Sequence, residues 1–239
     1  MADPFQVGWC LTAEEAVIAY GAPARFVPPK DRSREGRGFL SCPAVRGYFD
    51  GIFAVTAPFS LRLRLSRGPD GARIQPVYPF SSLSEVKFRQ FVTVEPADTQ
   101  RDPSLIVMQF PSPYLFFADT PVVVEQFSPS FANAVGTNWR VVPGKFDIYS
   151  WQRPLNWAVE WDSSLGDFVV RAGDIQYFIR FSNLTSGGHH CELIECEMTR
   201  ELQERLRLSQ GITGMRKGTV PLMKRAGSLR ADMSLIRPK

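Results

Sequence analysis

Apolar and polar positions alternate through much of the middle of this chain. In Ser60-Leu61-Arg62-Leu63-Arg64-Leu65, three leucines fall on one side and Ser60, Arg62 and Arg64 on the other. That is the period of a strand with one buried face. Strand-like stretches recur at residues 52–57, 86–94, 105–110, 115–117, 121–127, 157–161 and 191–198. Residues 167–171 and 175–181 read as a hairpin closed by Ala172-Gly173-Asp174, and Gly68-Pro69-Asp70-Gly71 is a strong turn signal. Roughly ten short strands at a spacing of about 8–12 residues predict an all-β fold. The expected architecture is an antiparallel β-sandwich of jelly-roll type over residues 38–198.

The flanks break this rhythm. Residues 1–37 read as an N-terminal arm with one short helix. Thr12 serves as its N-cap, Glu15 completes a capping box, and Gly21 stops it after Tyr20. At the other end Met198, Leu202 and Leu206 recur every fourth residue, as do Glu201 and Arg205. This predicts a C-terminal helix, and residues 199–239 are read as that helix followed by an extended basic tail.

Composition supports the β reading. Eighteen Phe and nineteen Pro in 239 residues favour strands and oppose long helices. The whole chain carries a net +4. From Met198 onward ten basic residues face three acidic ones, a net of +7, so the remainder is acidic. Such asymmetry predicts a tail that meets an acidic partner, through Arg216, Lys217, Lys224, Arg225 and Arg230. The tail also holds Val220, Leu222, Met223, Leu229, Met233, Leu235 and Ile236, more apolar residues than a solvating tail carries. It is therefore expected to order against a partner. No run approaches the roughly 20 apolar residues of a membrane span. The absence of a basic, apolar leader predicts reduced thiols for Cys10, Cys42, Cys191 and Cys196.

Residues 143–161 concentrate three tryptophans and two prolines. Asp147 lies between Phe146 and Ile148, so in extended chain it points away from both. An Asp so placed accepts backbone N–H groups or pairs with a guanidinium, and Arg153 is the candidate partner. Pro154 holds Arg153 outside the helical region, which makes the bend rigid. Asp147, Trp151, Arg153, Pro154 and Trp157 thus form the candidate site. It is either a structural corner or a ligand platform on which Trp151 and Trp157 stack a sugar or base beside Arg153.

Two blocks carry a resemblance. Gly144-Lys145-Phe146-Asp147-Ile148-Tyr149-Ser150-Trp151-Gln152-Arg153-Pro154 is followed by Gly173-Asp174-Ile175-Gln176-Tyr177-Phe178-Ile179-Arg180-Phe181. This order resembles an uncharacterised family of tailed-phage proteins, frequent in marine phages, with GxFDIxxWxRP and GDxxYxIRF motifs. Cys42-Pro43-Ala44 and Pro58-Phe59-Ser60-Leu61 resemble its upstream blocks, with Ser60 where the family more often has Asp. The resemblance spans about residues 41–182. It implies a phage origin and assigns no activity.

Little catalytic chemistry is legible. Metal-dependent oxygenases need two His and a carboxylate from separate strands. The only histidines, His189 and His190, are adjacent and would face opposite ways on a strand. Their spacing to Cys191 and Cys196 fits no common zinc site. Neither a nucleophile elbow nor a phosphate-binding glycine loop occurs. The expectation is a non-enzymatic, virion-associated phage structural protein without a cofactor. Its β-sandwich body and terminal arms would contact other phage subunits or itself. Weak nucleic-acid contact through the tail is a further expectation, and no membrane contact is expected. The alternative is a phage-encoded ligand- or carbohydrate-binding or modifying protein using Trp151, Arg153 and Trp157.

Overall fold

The structure, a computed structural model, describes residues 4–12, 18–28, 38–68, 71–96, 102, 104–129, 138–209, 221, 224, 227–228 and 234–239. Its strands are β1 (Phe5–Leu11), β2 (Ala24–Arg25), β3 (Ile52–Thr56), β4 (Leu61–Gly68), β5 (Gly71–Pro76), β6 (Thr93–Val94), β7 (Ile106–Phe110) and β8 (Tyr114–Phe117). These are followed by β9 (Val122–Phe127), β10 (Trp139–Val141), β11 (Gly144–Asp147), β12 (Trp157–Trp161), β13 (Phe168–Val170), β14 (Ile175–Asn183) and β15 (Cys191–Glu195). Short helices accompany them, among them α1 (Pro43–Phe49), α2 (Glu85–Phe91) and α3 (Arg200–Ser209).

The fold is predominantly β, as the period-two patterning predicts, and is consistent with a sandwich. Among the described residues the strands form four sheets, ordered β15-β1-β8, β11-β9-β14-β3-β2, β13-β4-β5 and β10-β12-β7-β6. Pairing is antiparallel except between β1 and β15. One large apolar cluster takes side chains from every sheet, among them Trp9, Tyr177, Leu63 and Trp157. Leu61 and Leu63 of β4 are buried in it while Arg62 and Arg64 stay outside, as alternation dictates. A second cluster gathers Cys10, Leu115, Phe117, Cys196, Leu202 and Leu235. A third lies under α1, with Phe49, Ile52, Ala54 and Phe178.

The structure corrects the sequence reading at four places. Phe5–Leu11, expected in an arm, is the middle strand of its sheet, with Val7 buried against the main core and Cys10 against the second cluster. The alternation Val7, Trp9 against Cys10 signals a two-faced strand, which the arm reading ignored. The helix expected from Thr12 to Tyr20 falls largely on residues 13–17, which lie outside the described residues. Residues 86–94, expected as a strand, are mostly α2. Ser84 caps it by accepting from the Lys87 N–H at 3.2 Å, Arg89 pairs with Glu85 one turn back, and only Phe88 is buried.

The hairpin expected through Ala172-Gly173-Asp174 is instead a crossing between sheets. β13 pairs with β4, whereas β14 pairs with β3 and β9. Gly173 takes φ +88°, a conformation that costs glycine little, and its N–H donates to Ala57 O at 2.8 Å. Finally, the tail expected to reach outward returns to its own body over residues 234–239. Pro238 bridges Cys196 in antiparallel sense beyond the end of β15.

Candidate functional site

Residues 142–157 carry the chain from one sheet to another. β11 belongs to the five-stranded sheet and β12 to the sheet of Trp139 and Phe110. Between them the backbone turns sharply, and Asp147 closes the turn. Its Oδ1 accepts the Tyr149 N–H at 2.9 Å and the Ser150 N–H at 3.0 Å, while its carbonyl accepts from Trp151 N at 3.2 Å. Asp147 therefore takes the first of the two roles its position suggested, and the expected pairing with Arg153 is not formed. A carboxylate two residues ahead of free amides finds them locally, without ordering a long side chain.

Gln152 locks the turn from inside. It is 1% exposed. Its amide donates to Ile148 O at 3.1 Å and Tyr149 O at 2.8 Å, and its Oε1 accepts from Arg205 Nε of α3 at 3.2 Å. Arg205 Nη2 also donates to Ser150 O at 3.5 Å. The helix is thus fastened to the corner by a buried cation and a buried amide. Nothing in the residue pattern marks this pair, because its members are 53 positions apart.

Arg153 does something else. Its guanidinium carbon stands 4.8 Å from the Trp151 ring centre and 5.9 Å from that of Phe146, and its Nε donates to Pro154 O at 3.2 Å. Burial pushes its pKa down from the ordinary value; a guanidinium remains a cation regardless. Two aromatic faces thus take the place that a carboxylate was expected to fill. Pro154 bridges Leu115, and the Leu155 N–H donates to Tyr114 O at 3.3 Å, which hands the chain on to β12.

The tryptophans are not a platform. Trp157 is 1% exposed and lies 4.6 Å from Phe110 and 5.6 Å from Trp139 between ring centres. Trp151 is 6% exposed. Neither ring offers a face to a ligand, so the stacking surface expected as the alternative is absent from this corner. The reason lies in strand parity: Trp157, Val159 and Trp161 share the inward face of β12.

The remaining candidates resolve as follows. Arg62 and Arg64, on the wet face of β4, converge on Asp167. The distances are 2.7 Å from Arg62 Nε and 2.9 Å from Arg64 Nη2. Arg64, followed by Arg62, holds the Asp167 carboxyl below its usual range against a smaller opposing effect of burial. These two arginines thus neutralise a carboxylate of the protein itself. His189 Nδ1 lies 2.9 Å from Ser182 Oγ, a partnership that joins the end of β14 to the turn after it. Among the described residues, no group of three or more His, Cys, Asp or Glu is placed to hold a metal ion. Of the tail residues, Arg216, Lys217, Arg225 and Arg230 lie outside the described residues, and Lys224 is exposed.

One shallow cleft of about 380 Å³ opens on the outer face of the five-stranded sheet. Arg180 sits in it 5.8 Å from Tyr48 and 5.6 Å from Phe127, and it shares Glu125 with Lys145, each at 3.3 Å. Burial works against the ionised Glu125, but the two cations prevail and its pKa falls. The Arg180 Nε is buried with no hydrogen-bond partner among the described residues. Sequence reasoning passed over this cluster because its cations and carboxylate come from three strands.

A scan against protein-family models finds no match, and a search of curated proteins finds no relative.

Proposed function

We propose that this chain is a virion-associated structural protein of a tailed bacteriophage, working through contacts with other phage subunits or with copies of itself. In this reading the body is a jelly-roll sandwich, supported by the crossovers that set β14 between β9 and β3 and β12 between β10 and β7. The motif blocks at residues 144–154 and 173–181 supply the phage connection. One structural observation carries the role. The body presents a built receptor for an extended segment, occupied here by residues 234–239 through backbone hydrogen bonds and a buried leucine. Adding an extended segment to a sheet edge is a general way for chains to join. Weak nucleic-acid contact through the cationic stretch belongs to the same proposal and predicts binding that collapses as salt rises.

The test is mass spectrometry of purified particles from a phage that encodes the chain. The protein is expected at a fixed stoichiometry after density-gradient purification. Its presence in infected cells but not in particles overturns the proposal.

A further inference from the structure

Two thiols meet where β1 lies against β15. These strands pair in parallel at a constant offset of 186 positions, from Phe5 opposite Cys191 to Trp9 opposite Glu195. One residue further, that register sets Cys10 opposite Cys196. The Cys196 N–H donates to Trp9 O at 2.8 Å, so the ladder still holds there. Paired strands run about 4.8 Å apart, inside the Cα separation of about 4.4–6.8 Å that a disulfide spans. Parity places both thiols on one side of the sheet. Phe5, Val7, Trp9, Cys191 and Leu193 pack with the main core, whereas Cys10, Ile194 and Cys196 pack with the second cluster. Cys191 is therefore on the wrong face to join Cys10, and Cys42 is exposed at the start of α1. Of the four free thiols, Cys10 and Cys196 are the pair placed to bond.

The last residues of the chain cover this pair. Leu235, 2% exposed, packs into the same cluster with Leu115, Phe117 and Leu202, and Pro238 bridges Cys196. Asp119 is the gate of the cover. The Leu235 N–H donates to its Oδ1 at 2.6 Å, and the Ser234 hydroxyl and Ile236 N–H donate to its Oδ2. At the far end the Glu197 N–H donates to Arg237 O and the Lys239 N–H to Glu195 O, both at 3.1 Å. Lys239 Nζ adds an ion pair to Glu195 Oε1 at 2.6 Å. Beneath the cover, burial is the main reason that the Cys10 thiol is pushed up to about 12, and it raises Cys196 as well. A thiol that stays protonated is a poor nucleophile, so the pair is inert until the cover lifts.

We propose that Cys10 and Cys196 are a dithiol–disulfide couple, oxidised by a small-molecule disulfide when residues 234–239 lift, and that the new bond ties β1 to β15. One protein thiolate attacks a sulfur of the oxidant, whose S–S bond breaks and releases one small thiol. The second protein thiolate attacks the protein sulfur of that mixed disulfide and expels the other small thiol. The protein loses two S–H bonds and gains one S–S bond. The oxidant is reduced to two thiols, which take up the two protons. The product closes a loop from residue 10 to residue 196, a constraint that falls mainly on the unfolded chain. This inference stands on the strand register and is independent of the virion reading.

The test uses the full-length protein with Cys42→Ser, which removes the exposed thiol, and oxidised glutathione as the oxidant. Intact mass is expected to show the loss of two hydrogens without a glutathione adduct, and peptide mapping to join Cys10 to Cys196. The unfolding constant of the oxidised form in urea should be at least ~10-fold smaller than that of the reduced form, and dithiothreitol should reverse both changes. Asp119→Ala in the same background is expected to oxidise at least ~10-fold faster. Leu235→Ser lifts the cover by a second route and is expected to do the same, whereas Cys196→Ser should give no internal link. Mixed disulfides that never close, a link that uses Cys191, or no reaction in either opened variant while its circular dichroism stays native overturns the proposal. Equal oxidation rates with and without the Asp119 carboxylate overturn the part assigned to the cover.

Discussion

Two aspartates in this molecule hold chain by the same chemistry at opposite ranges. Asp147 accepts backbone N–H groups from residues two and three positions ahead, and Asp119 accepts them from residues 116 and 117 positions ahead. Both are charge-assisted bonds to unpaired amides, and bond for bond they are comparable. What differs is the chain entropy that each must overcome. The corner at Asp147 is closed almost as soon as the local backbone bends, and Gln152, Arg205 and the core then bury it. The segment at Asp119 is held by one leucine and a few terminal bonds, so it is the natural place for the structure to open locally. Equal chemistry thus yields a fixed corner in one place and a detachable strip in the other.

The comparison can be tested from the strongest effect downward. Trp157→Ala empties the core that anchors the corner and is expected to cost about 3–5 kcal/mol in urea denaturation, as for other buried aromatics. A loss below ~1 kcal/mol would mean that the corner is not anchored there. Asp119→Ala removes charge-assisted bonds worth about 1.5–3 kcal/mol locally, which raises the open population about tenfold or more. Labelling of Cys10 and Cys196 should accelerate by that factor while global stability hardly moves. Asp147→Ala should do the reverse, lowering global stability by about 1 kcal/mol, the usual cost of a lost backbone cap, with thiol labelling unchanged. If both variants moved the two readouts together, the distinction between fixed and detachable would fall.

The smallest effect concerns acid. Asp167 has a folded pKa below its unfolded value because Arg64 and Arg62 hold it ionised. Its contribution is therefore present above the unfolded pKa and fades as pH drops through the folded one. Asp167→Asn should flatten that part of the acid limb in a stability-versus-pH series while leaving stability near neutrality only slightly lower. These partners are largely exposed, so the effect should shrink further in high salt.

What the residue pattern revealed follows the same division between near and far. Alternation in Leu61, Leu63 and their arginines was readable because a strand's faces are set by parity alone. The turn at Asp147 was readable because an Asp finds amides two residues away. The hydrogen bond from Arg205 to Gln152, the Asp119 gate and the shared Glu125 were not, since each joins residues whose nearness is created by the fold. α2 was misread for a local reason: Val86, Phe88 and Val94 imitate a strand, and the cap at Ser84 outweighs that imitation. The placing of Arg153 beside the Trp151 and Phe146 rings leaves no mark in the residue pattern, because a cation in a bend can be met by a carboxylate or by aromatic faces alike. The middle position of β1 had a local trace in its two apolar faces, but its partner β15 lies 186 residues away.

That distance has a kinetic meaning. β1 is parallel to β15, so one side of its ladder has nothing to bind until the chain has been made as far as Glu195. On a ribosome elongating at about 5–20 residues per second, β1 waits on the order of ten seconds or more for that neighbour. During that wait only β8 can shield one of its edges, leaving the other open to any passing strand. Biosynthesis therefore leaves β1 half-paired until close to the end of the body, and misassociation is most dangerous in that interval.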